Sequence, residues 1–313
     1  MPRLFLRHEG ILAILLVVTL AILASQSDKF FTPANFLNQG RLMAEVGIVA
    51  LAMTFVIVTG GIDLSVGSIL GLVAILLGVL WQNVGLPLPA AMALAVVIGA
   101  AAGWANGFVI TRFGVPPLIA TLATLALYRG LAEGISQARS VRGYPEWFYF
   151  LGQGEILEVP VQLWVFVILG LVTAFILGFT PFGRATYAIG SNAVASEFSG
   201  LPVRRTVLLI YIMSGLFSAI AAVIFVSRVS TTRSDMGTGL ELDVITAVVL
   251  GGTSIFGGRG TIVGTLLGLV VVQALKNGLL LAGFKGDATI VVIGLILIGT
   301  IILSNLFKRD TDG

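Results

Sequence analysis

Apolar runs of near-spanning length punctuate the chain at 10–24, 42–59, 64–81, 90–110, 117–135, 161–179, 206–226, 242–255, 261–281 and 288–306. A helix needs about 20 such residues to cross the hydrocarbon core of a bilayer. The runs at 10–24 and 242–255 are short for a full crossing, so they are expected to extend into their flanks, tilt little or insert only in part. The pattern predicts an all-α, polytopic transmembrane helical bundle of about ten helices, in one domain covering 1–313.

One polar stretch interrupts this pattern. Residues 59–68 read T-G-G-I-D-L-S-V-G-S, a carboxylate and two hydroxyls set among glycines between two apolar runs. An acidic side chain at membrane depth costs about 3 kcal/mol or more, so Asp63 must face a cavity, a protein partner or the interface. Asp63 and Ser65 are placed to cap a helix that begins near Leu64, while Gly60 and Gly61 let the preceding helix end. A plain N-cap at the membrane surface fits Asp63 equally well.

The stretch recurs. Gly61-Ile62-Asp63-Leu64-Ser65-Val66-Gly67-Ser68 aligns with Gly239-Leu240-Glu241-Leu242-Asp243-Val244-Ile245-Thr246, and Gly103-Trp104-Ala105-Asn106-Gly107 with Ala274-Leu275-Lys276-Asn277-Gly278. Two matches in the same order at similar offsets suggest a duplicated unit. The copies lie an odd number of predicted helices apart, which turns one upside down relative to the other. Inverted halves at about 42–135 and 206–306 are a transporter signature.

Composition supports the same class. Of 313 residues 57% are hydrophobic and only 11% charged, and the mean hydropathy is +1.06, more than a soluble domain needs to bury one core. The 39 glycines include Gly-x-x-x-Gly spacings at Gly67 with Gly71, Gly99 with Gly103, and Gly260 with Gly264 and Gly268, which suit close helix packing. No cysteine is present, so disulfides and thiolate metal sites are excluded. The net charge of +3 comes from Lys and Arg scattered at span ends, which fits membrane topology rather than nucleic-acid binding. Arg3, Arg7 and His8 precede the first run, and with so many spans following, that run reads as an uncleaved helix rather than a signal peptide. His8 reads as a flank residue, not a ligand.

Both termini are expected in the cytoplasm, which places Arg112, Arg184, Arg204, Arg205, Arg259, Lys308 and Arg309 inside. The segment 136–160, rich in Tyr, Trp and Phe, would then lie outside with its aromatics as interfacial anchors. The segment 180–205 would lie inside, with a short helix capped by Ser191 or Asn192 and ended by Gly200 and Pro202. Ala195, Phe198 and Leu201 recur on it at helical spacing. The helix is short and lacks a strongly basic face, so this apolar side suits docking in a partner's groove better than lying on lipid.

Catalytic chemistry is missing. Gly252-Thr253-Ser254-Ile255-Phe256-Gly257-Gly258-Arg259 is glycine-rich but lacks the Lys-Ser/Thr pair of a phosphate loop, so its glycines read as close packing and a helix-ending turn. Glu45, Asp63, Glu133 and Asp243 lie near predicted helix ends rather than at mid-span, which weakens ion-coupled transport. No metal-ligand spacing and no nucleophile with a base at hand supports an enzyme.

Four blocks resemble a known family: T-G-G-I-D-L-S-V-G-S, N-G-F-V-I-T-R-F-G-V-P-P-L-I-A-T-L-A-T, G-R-A-T-Y-A-I-G-S-N-A-V-A-S-E-F-S-G-L-P-V and T-A-V-V-L-G-G-T-S-I-F-G-G-R-G-T-I-V-G-T. In that order they resemble the ribose-type branch of bacterial ABC importer permeases. The stretch 47–80 and R-S-D-M-G-T-G at 233–239 look closest to permeases for autoinducer-2 or rhamnose, without separating these from ribose. The resemblance implies a multi-pass protein of the bacterial inner membrane that pairs with an identical or sister permease, sits on a cytoplasmic ATP-binding-cassette ATPase and receives a sugar from a periplasmic binding protein. This chain would then carry no cofactor and no catalytic site, ATP and Mg being held by the partner. It also implies that the inner loop is the family's coupling segment, carried over onto Gly190, Asn192, Ala193, Ser196, Phe198 and Gly200. At Glu197 and Phe198 the chain departs from the family pattern, where a basic or smaller residue is more usual.

The function this predicts is translocation of a ribose-, rhamnose- or autoinducer-2-class molecule by alternating access. A pathway for a neutral polyhydroxy solute needs neutral donors and acceptors. The candidates are Asn106, Gln137, Thr246, Thr253, Ser254, Gln273 and Asn277, with Asp63 and Ser65 beside them, although each can equally be satisfied by a neighbouring helix. The alternative function is a stand-alone ion-coupled secondary transporter of a small polar solute, which would depend on a carboxylate at mid-span.

Overall fold

A computed structural model describes residues 32–281 and, beyond them, positions 283, 291, 294, 295 and 298. The predicted helices at 10–24 and 288–306, and with them the placement of the termini, lie outside the described residues. The helices in order are α1 (Pro33–Val58), α2 (Val66–Gly78), α3 (Leu88–Phe113), α4 (Pro117–Ser136), α5 (Glu146–Gln153), α6 (Val161–Phe179), α7 (Pro181–Ser191), α8 (Ala193–Phe198), α9 (Val203–Val229), α10 (Leu240–Leu250) and α11 (Ile262–Leu281). A π-helical turn, Val79–Asn83, extends α2, and two short strands, Glu155–Ile156 and Val159–Pro160, pair as a hairpin before α6. Seven of the described helices are long and apolar enough to cross a membrane: α1, α2 with its π turn, α3, α4, α6, α9 and α11.

Proline sets several starts. Pro33 and Pro117 occupy the first helical turn, where the missing N–H costs nothing. The Thr32 hydroxyl accepts from Asn35 N at 3.3 Å, capping α1. α1 is central, with residues 44–58 buried except Val46. α4 is peripheral and turns Leu118, Ile119, Leu122, Leu127 and Leu131 outward, as a helix facing lipid does.

The helices meet backbone to backbone where glycines allow it. α3 and α9 pack most extensively, and a Cβ on Gly103 would collide with the Tyr211 carbonyl, one on Gly215 with the Gly99 carbonyl. α10 and α11 repeat the device: a Cβ on Gly268 would collide with the Ala247 carbonyl, and one on Gly264 with that of Gly251. Between α1 and α11 the Thr54 and Thr265 hydroxyls bond at 2.8 Å, both buried.

Two expectations change. The run at 242–255 yields a helix of only 11 residues, because Gly251 and Gly252 follow Leu250, and Gly252 takes φ +89°, a conformation that leaves the helix. α10 is thus a buried half-length helix followed by a glycine-rich return to α11. The segment 136–160 is more than a row of surface anchors. Phe148 is fully buried, Tyr144 stacks on Trp81 with centroids 4.6 Å apart, and Ser227 donates to the Phe148 carbonyl at 2.6 Å. Gln153 donates to the Arg228 carbonyl at 3.0 Å, so α5 is fastened to the end of α9. Trp147 and Phe150 remain about half exposed.

Glu45 is buried on α1 and receives a two-pronged contact from Arg228, Nε to Oε1 at 2.6 Å and Nη2 to Oε2 at 3.0 Å. Removing one member leaves the other as an uncompensated charge, which typically costs about 3–5 kcal/mol. We expect Arg228→Met to lower the melting temperature in detergent sharply and Arg228→Met with Glu45→Gln to recover a large part of the loss; thermal unfolding of the purified variants checks this.

Candidate functional site

The break between α1 and α2 carries a buried carboxyl group that accepts three hydrogen bonds. Val58 ends α1, and Val66 begins α2, two residues later than the sequence pattern predicts. Between them Asp63 is completely enclosed. Its Oδ1 accepts from Ser65 N at 3.0 Å and Ser65 Oγ at 2.6 Å, and its Oδ2 accepts from Ser214 Oγ on α9 at 2.7 Å. Asn106 on α3 donates through Nδ2 to Ser65 Oγ at 2.7 Å, which commits the serine proton to the carboxylate. Tyr128 on α4 closes the set, donating to the Ala102 carbonyl at 2.9 Å with Asn106 Oδ1 3.3 Å away. Thr121 on α4 donates to the Ile62 carbonyl at 3.1 Å.

Three donors converge on one carboxyl group, and with the bonds from Asn106 and Thr121 they tie the break to α3, α4 and α9. Asp63 is therefore neither an N-cap at the surface nor a wall of an open channel in this conformation. The Tyr211 hydroxyl lies against Gly61, buried and without a protein hydrogen-bond partner among the described residues.

The other candidates divide. Gln273 and Asn277 come together on α11 with Gln39 of α1: Gln273 Nε2 donates to Gln39 Oε1 at 2.7 Å, and Gln39 Nε2 to Asn277 Oδ1 at 2.8 Å. Thr246 is spent on its own helix, donating to the Leu242 carbonyl at 2.6 Å. Thr253 is buried against Gly260 with no hydrogen-bond partner for its hydroxyl among the described residues, while Ser254 accepts from Phe256 N at 3.3 Å; both lie in the return after α10. Gln137 stands apart, exposed at the left-handed C-terminal cap of α4. Three of the four carboxylates named for ion coupling are engaged: besides Glu45 and Asp63, Asp243 Oδ2 accepts from Lys276 Nζ at 2.5 Å. Glu133 is exposed.

The block at 233–239 lies over α2, where Gly237 and Gly67 touch backbone to backbone. Arg129 holds it by donating to the carbonyls of Ser234 at 2.5 Å and Met236 at 2.9 Å. In the same block Arg233 pairs with Asp235 and holds its exposed carboxyl below the ordinary value.

At the end of the bundle where α1 stops, α7 and α8 form one unit. Thr180 caps α7 by accepting from Gly183 N at 3.2 Å. Asn192 caps α8, its Oδ1 accepting from Ala195 N at 2.9 Å. Ser196 is buried, Phe198 is 89% exposed, and Gly200 leaves the helix at φ +81°. Leu201 is turned half inward, so the outward apolar pair is Val194 with Phe198, one turn apart, rather than Phe198 with Leu201. Ala193 and Ala195 are exposed beside them. Gly190 is not on this outer face. It lies against the Val58 carbonyl, and one turn back the Tyr187 hydroxyl donates to the Gly260 carbonyl at 2.6 Å; burial pushes that phenol's pKa up, which keeps the donor in place.

Spanning helices separated by an enclosed polar break, with a capped helix standing clear of one end, fit a membrane transport permease. The chain belongs to the family described as the permease component of branched-chain amino acid transport systems, whose model matches residues 35–301. It is 42% identical over 296 residues to the ribose import permease protein RbsC of Bacillus subtilis, covering 92% of this chain and 89% of that one. It is 38% identical over 300 residues to the autoinducer 2 import system permease protein LsrD of Escherichia coli K12, covering 94% and 91% respectively. No solved structure matches the chain.

Sequence reasoning missed Ser214, Tyr128 and Tyr211, which sit within otherwise apolar runs, and Gln39, near the start of one. A polar side chain inside such a run is itself the available signal. Replacing Asp63 by Leu would leave three donors facing carbon, each costing about 1–3 kcal/mol, whereas Asn keeps an acceptor and serine hydroxyls can rotate to meet its amide. We expect Asp63→Leu to fail to yield folded protein and Asp63→Asn to yield protein of lowered melting temperature; size-exclusion profiles and thermal unfolding of the two variants check the order.

Proposed function

We propose that the chain is the membrane-spanning subunit of a bacterial importer for a monosaccharide or sugar-like molecule of the ribose, rhamnose or autoinducer-2 class. It works as a dimer with an identical or sister permease in the inner membrane, both termini in the cytoplasm. A cytoplasmic ATP-binding-cassette ATPase, holding ATP and Mg, engages α8, and a periplasmic binding protein delivers the solute. Nucleotide-driven movement of α8 then alternates access to the solute between the two sides.

The observation that carries this reading is Phe198, a large aromatic side chain 89% exposed on a firmly capped short helix at one end of the bundle. Such a residue, with Val194 beside it, suits insertion into a partner's groove. The likeness to the ribose and autoinducer-2 permeases supports the solute class. The engaged state of Glu45, Asp63 and Asp243 argues against the ion-coupled alternative, since a coupling carboxylate has to be free to exchange its ion.

Duplicated inverted halves belong to the same reading. At the aligned positions Ser65 is bonded to Asn106 in one half, and Asp243 is paired with Lys276, beside Asn277, in the other. The start of α2 is thus joined to α3 through neutral groups, and the start of α10 to α11 through charges. The amides of Gln39, Gln273 and Asn277 suit a pathway for a hydroxylated solute, although in this conformation they bond to one another.

Co-purification in detergent with the ATPase encoded beside the gene tests the reading. The wild type is expected to retain the ATPase. Phe198→Asp, which places a charge in the groove, is expected to weaken the complex by about 2 kcal/mol or more, roughly 30-fold, without changing the permease's own melting temperature. A chain that never retains the ATPase, and moves solute only down an ion gradient, would overturn it.

A further inference from the structure

At the end of the bundle that carries α8, three chain segments meet with almost no side chains between them. Gly190, two residues before the Asn192 joint, lies so close to the end of α1 that a Cβ there would collide with the Val58 carbonyl and come within 2.6 Å of Gly258 N. Gly258 N in turn donates to that same Val58 carbonyl at 2.8 Å. A Cβ on Gly257 would lie 2.6 Å from the Gly190 carbonyl oxygen and 2.9 Å from Gly60 N. The end of α7, the end of α1 and the return between α10 and α11 therefore touch through backbone alone, and the Tyr187 to Gly260 hydrogen bond fastens α7 to that return a second time.

Backbones in direct contact have no flexible side chains to take up a displacement, so a shift of one moves the others or breaks the contact. α7 runs into α8 through the single capped residue Asn192, and both segments that α7 touches border helix breaks, residues 59–65 before α2 and 251–261 after α10. We propose that Gly190 and Tyr187 are positioning residues that carry a displacement of α8 to both breaks at once. The inference rests on the importer reading, and it assigns Gly190 to this joint rather than to the face that meets the partner. The glycine supplies close approach; the tyrosine hydroxyl supplies a directional tie that survives a sliding contact.

The test uses the full permease–ATPase complex in nanodiscs, with a nitroxide on Arg259→Cys, an exposed position inside the return. In the otherwise unchanged complex, MgATP with vanadate is expected to change the nitroxide spectrum. Tyr187→Phe keeps the ring and removes only the hydroxyl. It is expected to trap the same amount of nucleotide and bind the same amount of ATPase, while the spectral change falls at least two-fold. Gly190→Ala is expected to abolish the change. Should that variant not fold, Tyr187→Phe alone decides. A change equal to that of the parent complex in Tyr187→Phe, or no change in a parent complex that binds ATPase and traps nucleotide, overturns the joint while leaving the importer reading in place. Failure of the parent to bind ATPase overturns both.

Discussion

A carboxylate enclosed by apolar helices is stable only if donors surround it, and around Asp63 that requirement fixes the positions of several helices at once. Ser65 belongs to the break itself, Ser214 to α9, and Asn106, which orients the Ser65 hydroxyl, to α3. Two hydroxyls and a backbone N–H bond the carboxyl group directly. If α9 moved outward by a hydrogen-bond length, Asp63 Oδ2 would lose its Ser214 donor, and if α3 did, the Asn106 amide would lose its Ser65 acceptor. The break between α1 and α2 is thereby tightly specified, even though it has no regular secondary structure.

Apart from the Glu45–Arg228 and Asp243–Lys276 ion pairs, the rest of the fold relies on close approach. In the pairs α3 with α9 and α10 with α11, a glycine on one helix lies directly on a carbonyl of the other, so each pair is held as a unit by contacts a methyl group would forbid. Between such units lie softer contacts: the hydroxyl bridge of Thr54 and Thr265, and the amide chain of Gln273, Gln39 and Asn277. The division separates bodies held by backbone contact from a few interfaces whose hydrogen bonds can be exchanged for others.

The spanning helices were legible because apolar length is an unambiguous signal: α4 and α6 match the predicted runs to within one residue at each end. The half-length α10 was less so. Its apolar run continues across Gly251 to Gly252 into Thr253, Ser254 and Ile255, and only the backbone angle at Gly252 shows where the helix stops. Asp63 was legible as an anomaly with Ser65 beside it and Asn106 as a candidate, but Ser214 was not, since a serine inside an apolar run has no spacing that names a residue 151 positions away. On α8 the cap at Asn192 was readable from residue type, whereas the rotation that exposes Val194 and half-buries Leu201 follows from the left-handed turn at Gly200, a tertiary outcome.

The separation of Asp63 from Ser214 also orders the protein's synthesis. Asn106 follows Asp63 by only 43 residues in the chain, but Ser214 follows by 151. At about 5–20 residues per second, the ribosome needs on the order of ten seconds to supply α9 after Asp63 has emerged. During that interval Asp63 keeps its two Ser65 donors but lacks Ser214, so Oδ2 has to be met by water or by a proton until α9 arrives.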